Sequence, residues 1–101
     1  MSNKEVYDLL KTLGLKVAYN HFKTKVEPPF VLYDETSPST FKADDKVYEQ
    51  INNYTIYLIT DKKDYKLEEE VEKLLNDNYI PYEKDTTFID SEQIYQIEYD
   101  I

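Results

Sequence analysis

The sequence predicts an α+β domain: a single, mostly antiparallel sheet of four to five strands with two helices packed on one face, in the order helix, short strand, strand, strand, helix, strand, strand. Three observations lead there. Two segments repeat apolar residues at helical spacing, several others alternate β-branched and aromatic residues with period two, and two pairs of these are joined by connections suited to hairpins. At 101 residues the chain fits one domain covering 1–101, and 41% hydrophobic residues, with 15% of the chain aromatic, are enough for a packed core.

The first helix is expected over about residues 3 to 13. Ser2 followed three residues later by Glu5 forms a capping box, and Val6, Leu9, Leu10 and Leu13 fall on one helical face. Gly14, the only glycine, stands where a left-handed stop residue is needed, with Leu15 as its apolar follower. "LKVAYNHF" supplies a short strand near 15–19, and "EPPF" holds extended backbone because proline disfavours the helical region in the residue before it.

"FVLYDET" at 30–36 reads as a strand, followed by the polar loop "SPSTFKADD". The longest β signal runs from Val47 to Thr60. Its bulky residues occupy both faces, so part of this strand is expected to be covered twice. "TDKKDYKLEEEVEKLLND" places Leu67, Val71, Leu74 and Leu75 on one helical stripe behind capping aspartates. The "EEE" at 68–70 reads as a solvated face near the positive end of the helix dipole.

A strand follows around 80–88. Then "QIYQIEYDI" alternates, with Tyr95, Ile97, Tyr99 and Ile101 facing the core and Gln96, Glu98 and Asp100 facing away. The short "DSE" connection makes the last two strands an antiparallel hairpin, as the 37–46 loop does for the middle pair. The helices are expected to pack through Leu9, Leu10, Leu13, Leu67, Val71, Leu74 and Leu75 onto the face of Tyr95, Ile97 and Tyr99.

Twelve basic residues, all lysines, against 21 acids give a net charge of −9. Without arginine there is no planar fork to read a guanine edge, which argues against sequence-specific nucleic-acid binding. Zero cysteines exclude disulfides and thiolate sites. "MSNKEVYDLL" lacks a signal-peptide core and no long apolar run occurs, so a cytoplasmic product without a membrane span is expected. Eleven tyrosines suit half-buried strand faces and subunit contacts.

Reactive constellations are missing from the pattern. His21 is the only histidine and has no partner at metal-ligand spacing, and one glycine cannot build a phosphate cradle. Asp44 and Asp45, with Asp34 and Glu35 across the loop, lack the spacing and the glycine of a calcium loop. The expectation is a protein that is not an enzyme and needs no metal or cofactor.

The succession "PPFVLYDET", "FKADDKVYEQINNYTIYLITDKKD", "LEEEVEKLLNDNYIPYEKD" and "SEQIYQIEYDI" resembles a family of small phage and prophage proteins of low-GC Gram-positive hosts. Members lie among head–tail connector and tail genes and are similar in size and element order to the tail terminator proteins of long-tailed phages. The resemblance implies an assembly protein of the virion tail or neck, put together in the host cytoplasm. It implies a ring, hexameric, that caps the head-proximal end of the tail tube. Its partners would be further copies of itself, the tail tube protein and the head–tail connector protein. Phe41, Asp44, Asp45 and Tyr48 are then candidate interface residues at the loop end and its base. The alternative is a small acidic inhibitor that imitates DNA, with carboxylates in rows at phosphate-like spacing and a nucleic-acid-binding protein of the host as its target.

Overall fold

The structure is a computed structural model that describes residues 2–36 and 53–101. Seven elements follow one another: α1 (Asn3–Lys11), β1 (Lys16–Tyr19), β2 (Phe30–Thr36), β3 (Asn53–Thr60), α2 (Tyr65–Asp77), β4 (Glu83–Ile89) and β5 (Ile94–Asp100). The five strands form one mixed sheet in the order β1-β2-β3-β5-β4, with both helices packed on one of its faces. This is the α+β architecture the periodicities predict.

The helix ends are set by local chemistry. The Ser2 hydroxyl accepts from the Glu5 amide at 3.2 Å while the Ser2 amide donates to the Glu5 carboxylate at 3.3 Å, the reciprocal capping box. α1 stops two residues before the expected end. There the Thr12 hydroxyl donates to the Leu9 carbonyl at 2.6 Å, and Gly14 takes φ +78, which a side chain would disfavour. In α2 the Asp64 carboxylate accepts from the Leu67 amide, and the Asn78 side chain closes the far end by donating to the Leu74 carbonyl.

β2 and β3 pair antiparallel from Phe30 opposite Ile59 to Thr36 opposite Asn53. β4 and β5 form the second expected hairpin, from Glu83 opposite Asp100 to Ile89 opposite Ile94. β5 also pairs with β3 and therefore lies between it and β4. β1 pairs with β2 in parallel, its chain returning through residues 20–29. That one parallel contact makes the sheet mixed.

The core lies between sheet and helices. Val31 and Tyr33 of β2, Tyr54, Ile56 and Leu58 of β3, and Ile97 and Tyr99 of β5 are buried against Val6 and Leu10 of α1 and Val71 and Leu75 of α2. The helical stripes are thus narrower than the sequence suggests: Leu9 and Leu74 are only half-buried, whereas Val6 and Leu10, four apart, point inward. β3 is buried on its second face as well, at Thr55 and Ile59, as the double coverage of a central strand requires. The expected strand start at Val47 and the 37–46 loop lie outside the described residues. Among the described residues, no helix is long and apolar enough to cross a membrane.

Candidate functional site

Two groups of charged side chains stand out, one on each face of the sheet. The first is on the helix face. Glu68, whose run of acids the sequence assigns to solvent, is only 1% exposed. It lies one helical stripe with Val71 and Leu75, which are three and seven residues on, so its side chain is carried into the core. Two lysines meet it there: Lys63 Nζ at 2.8 and 3.0 Å from its two oxygens, and Lys84 Nζ of β4 at 2.9 Å. Lys84 also reaches Glu72 at 3.0 Å, and Glu72 accepts from the hydroxyls of Tyr99 at 3.0 Å and Tyr82 at 3.3 Å.

Burial pushes the Glu68 carboxyl up, but the hydrogen bonds and charges of Lys63 and Lys84 outweigh it and hold the group below its ordinary value. Lys84 is drawn down by burial and more than restored by Glu68 and Glu72, so its ammonium persists to higher pH than usual. Burial, then the bond to Glu72, push the Tyr99 phenol far up. Both ammonium and phenol therefore keep their protons at neutral pH. Neither offers the free amine or phenolate that nucleophilic or base chemistry needs. The cluster is an ion-paired strut that ties α2 to the β4 edge of the sheet.

The second group covers the face away from the helices. Period two along the strands and the register place five carboxylates there: Asp34 on β2, Glu98 and Asp100 on β5, Glu83 and Asp85 on β4. Glu83 stands directly opposite Asp100, and Asp85 directly opposite Glu98. Like charges facing each other across an antiparallel pair destabilise it. Among the described residues no lysine pairs with any of the five; the one bond that any of them receives from another side chain comes from the Thr55 hydroxyl, which donates to Asp100 at 3.1 Å. Asp34 Oδ1 is buried with no partner among the described residues. Burial and the charges of Asp100 and Asp85 push the Glu98 carboxyl up, and burial, Glu98, Asp34 and Asp100 do the same to the nearby Tyr57 phenol.

The raised Glu98 carboxyl has a consequence for stability. The folded protein holds that proton more tightly than the unfolded chain, so the contribution is favourable below the ordinary value of 4.5 and is lost as pH rises through the folded value. Glu98→Gln is expected to stabilise the protein at pH 7 by up to about 1 kcal/mol and to change little near pH 3. Urea titrations at the two pH values measure this. Equal effects at both, or a loss at pH 7, would contradict the electrostatic account.

At one end of this face lies an open recess of about 580 Å³ between the ends of β2, β3, β4 and β5, lined by Thr36, Tyr54, Tyr82, Glu83 and Asp100 among others. The segment that carries Phe41, Asp44, Asp45 and Tyr48 leaves and re-enters the sheet at this end, since Thr36 and Asn53 are paired. Those four candidate residues lie outside the described residues. His21 is exposed, with Nδ1 3.3 Å from Asn20 Oδ1. Among the described residues no three His, Cys, Asp or Glu side chains are arranged to hold a metal ion. The sequence matches no protein-family model and no curated protein.

Proposed function

We propose that this chain is a structural phage assembly protein, a tail terminator that forms a ring on the head-proximal end of the tail tube and joins it to the head–tail connector. The observation that carries the reading is the pair of opposed carboxylate couples, Glu83 with Asp100 and Asp85 with Glu98. A sheet that keeps two such couples gives up stability at those positions, and departures of this kind are where function competes with folding. On the wall of a channel the same carboxylates repel passing phosphates, so DNA slides instead of sticking. The family resemblance of the sequence and the small single-sheet domain support the same assignment. Such a ring works through contacts and requires no cofactor.

One observation favours the other reading, an acidic inhibitor that imitates DNA. Glu83 and Asp85, like Glu98 and Asp100, are two residues apart on one strand and so stand about 6.8 Å apart along it, a step comparable with that between neighbouring phosphates. A protein of this kind binds a nucleic-acid-binding partner tightly and leaves tail tubes alone.

Because Thr36 and Asn53 are opposite partners, replacing residues 37–52 with Asn-Gly closes β2 and β3 by a two-residue hairpin without shifting register. Electron microscopy of tail tube protein polymerised with wild type should show capped tubes of limited length. The shortened variant is expected to keep its fold and to leave tubes uncapped. If wild type leaves tube length unchanged and instead displaces DNA from a nuclease or repressor, the inhibitor reading stands and the terminator falls. Normal capping by the shortened variant would move the interface elsewhere.

A further inference from the structure

The sheet has two outer strands that pair with no further strand among the described residues, β1 at one end and β4 at the other; the Tyr19 carbonyl at the end of β1 accepts from the His21 amide at 2.7 Å. Unpaired edges of this kind template further strands unless something blunts them. β4 pairs with β5 in unbroken register over all seven of its residues, so it has no bulge, and it contains no proline or glycine. Its only lysine, Lys84, is turned onto the helix face and held by Glu68 and Glu72. What β4 presents on the other face is Glu83 and Asp85, with no cation beside them on that strand. β1 presents the opposite charge: Lys16, exposed, lies on that same face at the other end of the sheet.

We propose that the β4 edge of one copy pairs with the β1 edge of the next, so that the sheet continues from subunit to subunit around the ring. The inference rests on the ring reading above and names its subunit contact. Charge selects the occupant. Two β4 edges together would gather four carboxylates on one face without a cation, whereas β1 brings Lys16 to Glu83 and Asp85.

Strand direction is consistent as well. β1, β2 and β5 run one way and β3 and β4 the other, so a rotation about an axis along the strands sets β1 antiparallel to the neighbouring β4. With Lys16 opposite Asp85, Ala18 faces Glu83, and Tyr19, 44% exposed on the helix face, comes against Tyr82. The contact joins two different edges, so it is head-to-tail and repeats until the ring closes.

The chain has no cysteine, which gives a clean background for trapping. Residues directly opposite in an antiparallel pair have Cα atoms about 4.5–5.5 Å apart, within disulfide reach. Three strands, β2, β3 and β5, lie between Ala18 and Glu83 within one chain, so a bond inside the monomer is out of range. The double variant Ala18→Cys/Glu83→Cys, oxidised alone and with tail tube protein, is expected to give a ladder of disulfide-linked oligomers. Either single variant should give none beyond dimer. Adding Lys16→Glu should abolish the ladder, and Asp85→Lys on top of it should restore it.

No ladder from a protein that still forms rings overturns this contact and leaves the ring reading standing. No ladder from a protein that stays monomeric with tube protein present overturns both. A ladder indifferent to Lys16→Glu would remove the charge argument and with it the choice of register.

Discussion

Replacing Lys63 and Lys84 together by methionine is expected to destabilise the protein by about 3–5 kcal/mol, because Glu68 would then be a buried charge without a partner. For a domain whose total stability is of the order of 5–15 kcal/mol, that is a fall in Tm of about 10 °C or more. Either lysine alone should cost less, since the other still reaches both carboxylate oxygens or one of them. Adding Glu68→Met to the double change should recover most of the loss, as apolar replacement of a whole buried ion pair is commonly neutral or stabilising.

The pH dependence should change sign too. In the native protein the lowered Glu68 carboxyl contributes stability above its ordinary value of 4.5, lost as pH falls through the folded value. With both lysines gone, burial alone acts on Glu68 and raises it, so the variant should lose stability as pH rises instead. A double variant within half of one kcal/mol of native would mean that Glu68 reaches water and that the strut does not exist.

Leu75→Ala is the second large effect, expected at about 2–5 kcal/mol with an unchanged urea m-value. Leu75 is fully buried with Val71 against Leu58, Ile97 and Tyr99, and truncation leaves a cavity that the sheet cannot close. Leu74→Ala should cost about 1 kcal/mol or less. Its side chain is half-buried beside a shallow groove that Thr12, Leu13 and Lys73 also line. The reverse order of the two effects would mean that α2 is rotated about its axis from the orientation described.

The contrast between Leu74 and Leu75 marks where sequence reading loses resolution. Helical periodicity finds the apolar half of α2, but which member of an adjacent pair points inward depends on the direction from which the sheet approaches. Glu68 was open to the same arithmetic, being three residues before Val71. A glutamate in the first turn also has a sufficient local explanation in the helix dipole. Its burial depends on Lys84, which arrives from another strand. The strands themselves were legible from composition and alternation, "FVLYDET" to the residue.

Their order was not legible. Insertion of β5 between β3 and β4, and the parallel return of β1, are decided by long-range pairing that leaves no local mark. The alternation of "QIYQIEYDI" places Glu98 and Asp100 on the outer face. Their opposition by Asp85 and Glu83 needs the register that the turn at 90–93 imposes. Phe41, Asp44, Asp45 and Tyr48 fall outside the described residues, so their part in assembly rests on the proposal and on the shortened-loop experiment.

The most direct measurement of the central claim is sedimentation mass over a concentration series, with and without tail tube protein. A terminator of this kind should shift from the 12.1 kDa monomer to a closed ring as concentration rises, and should sediment with tubes at a stoichiometry of one ring per tube end. A protein that remains at 12.1 kDa throughout, tube protein included, would contradict the account.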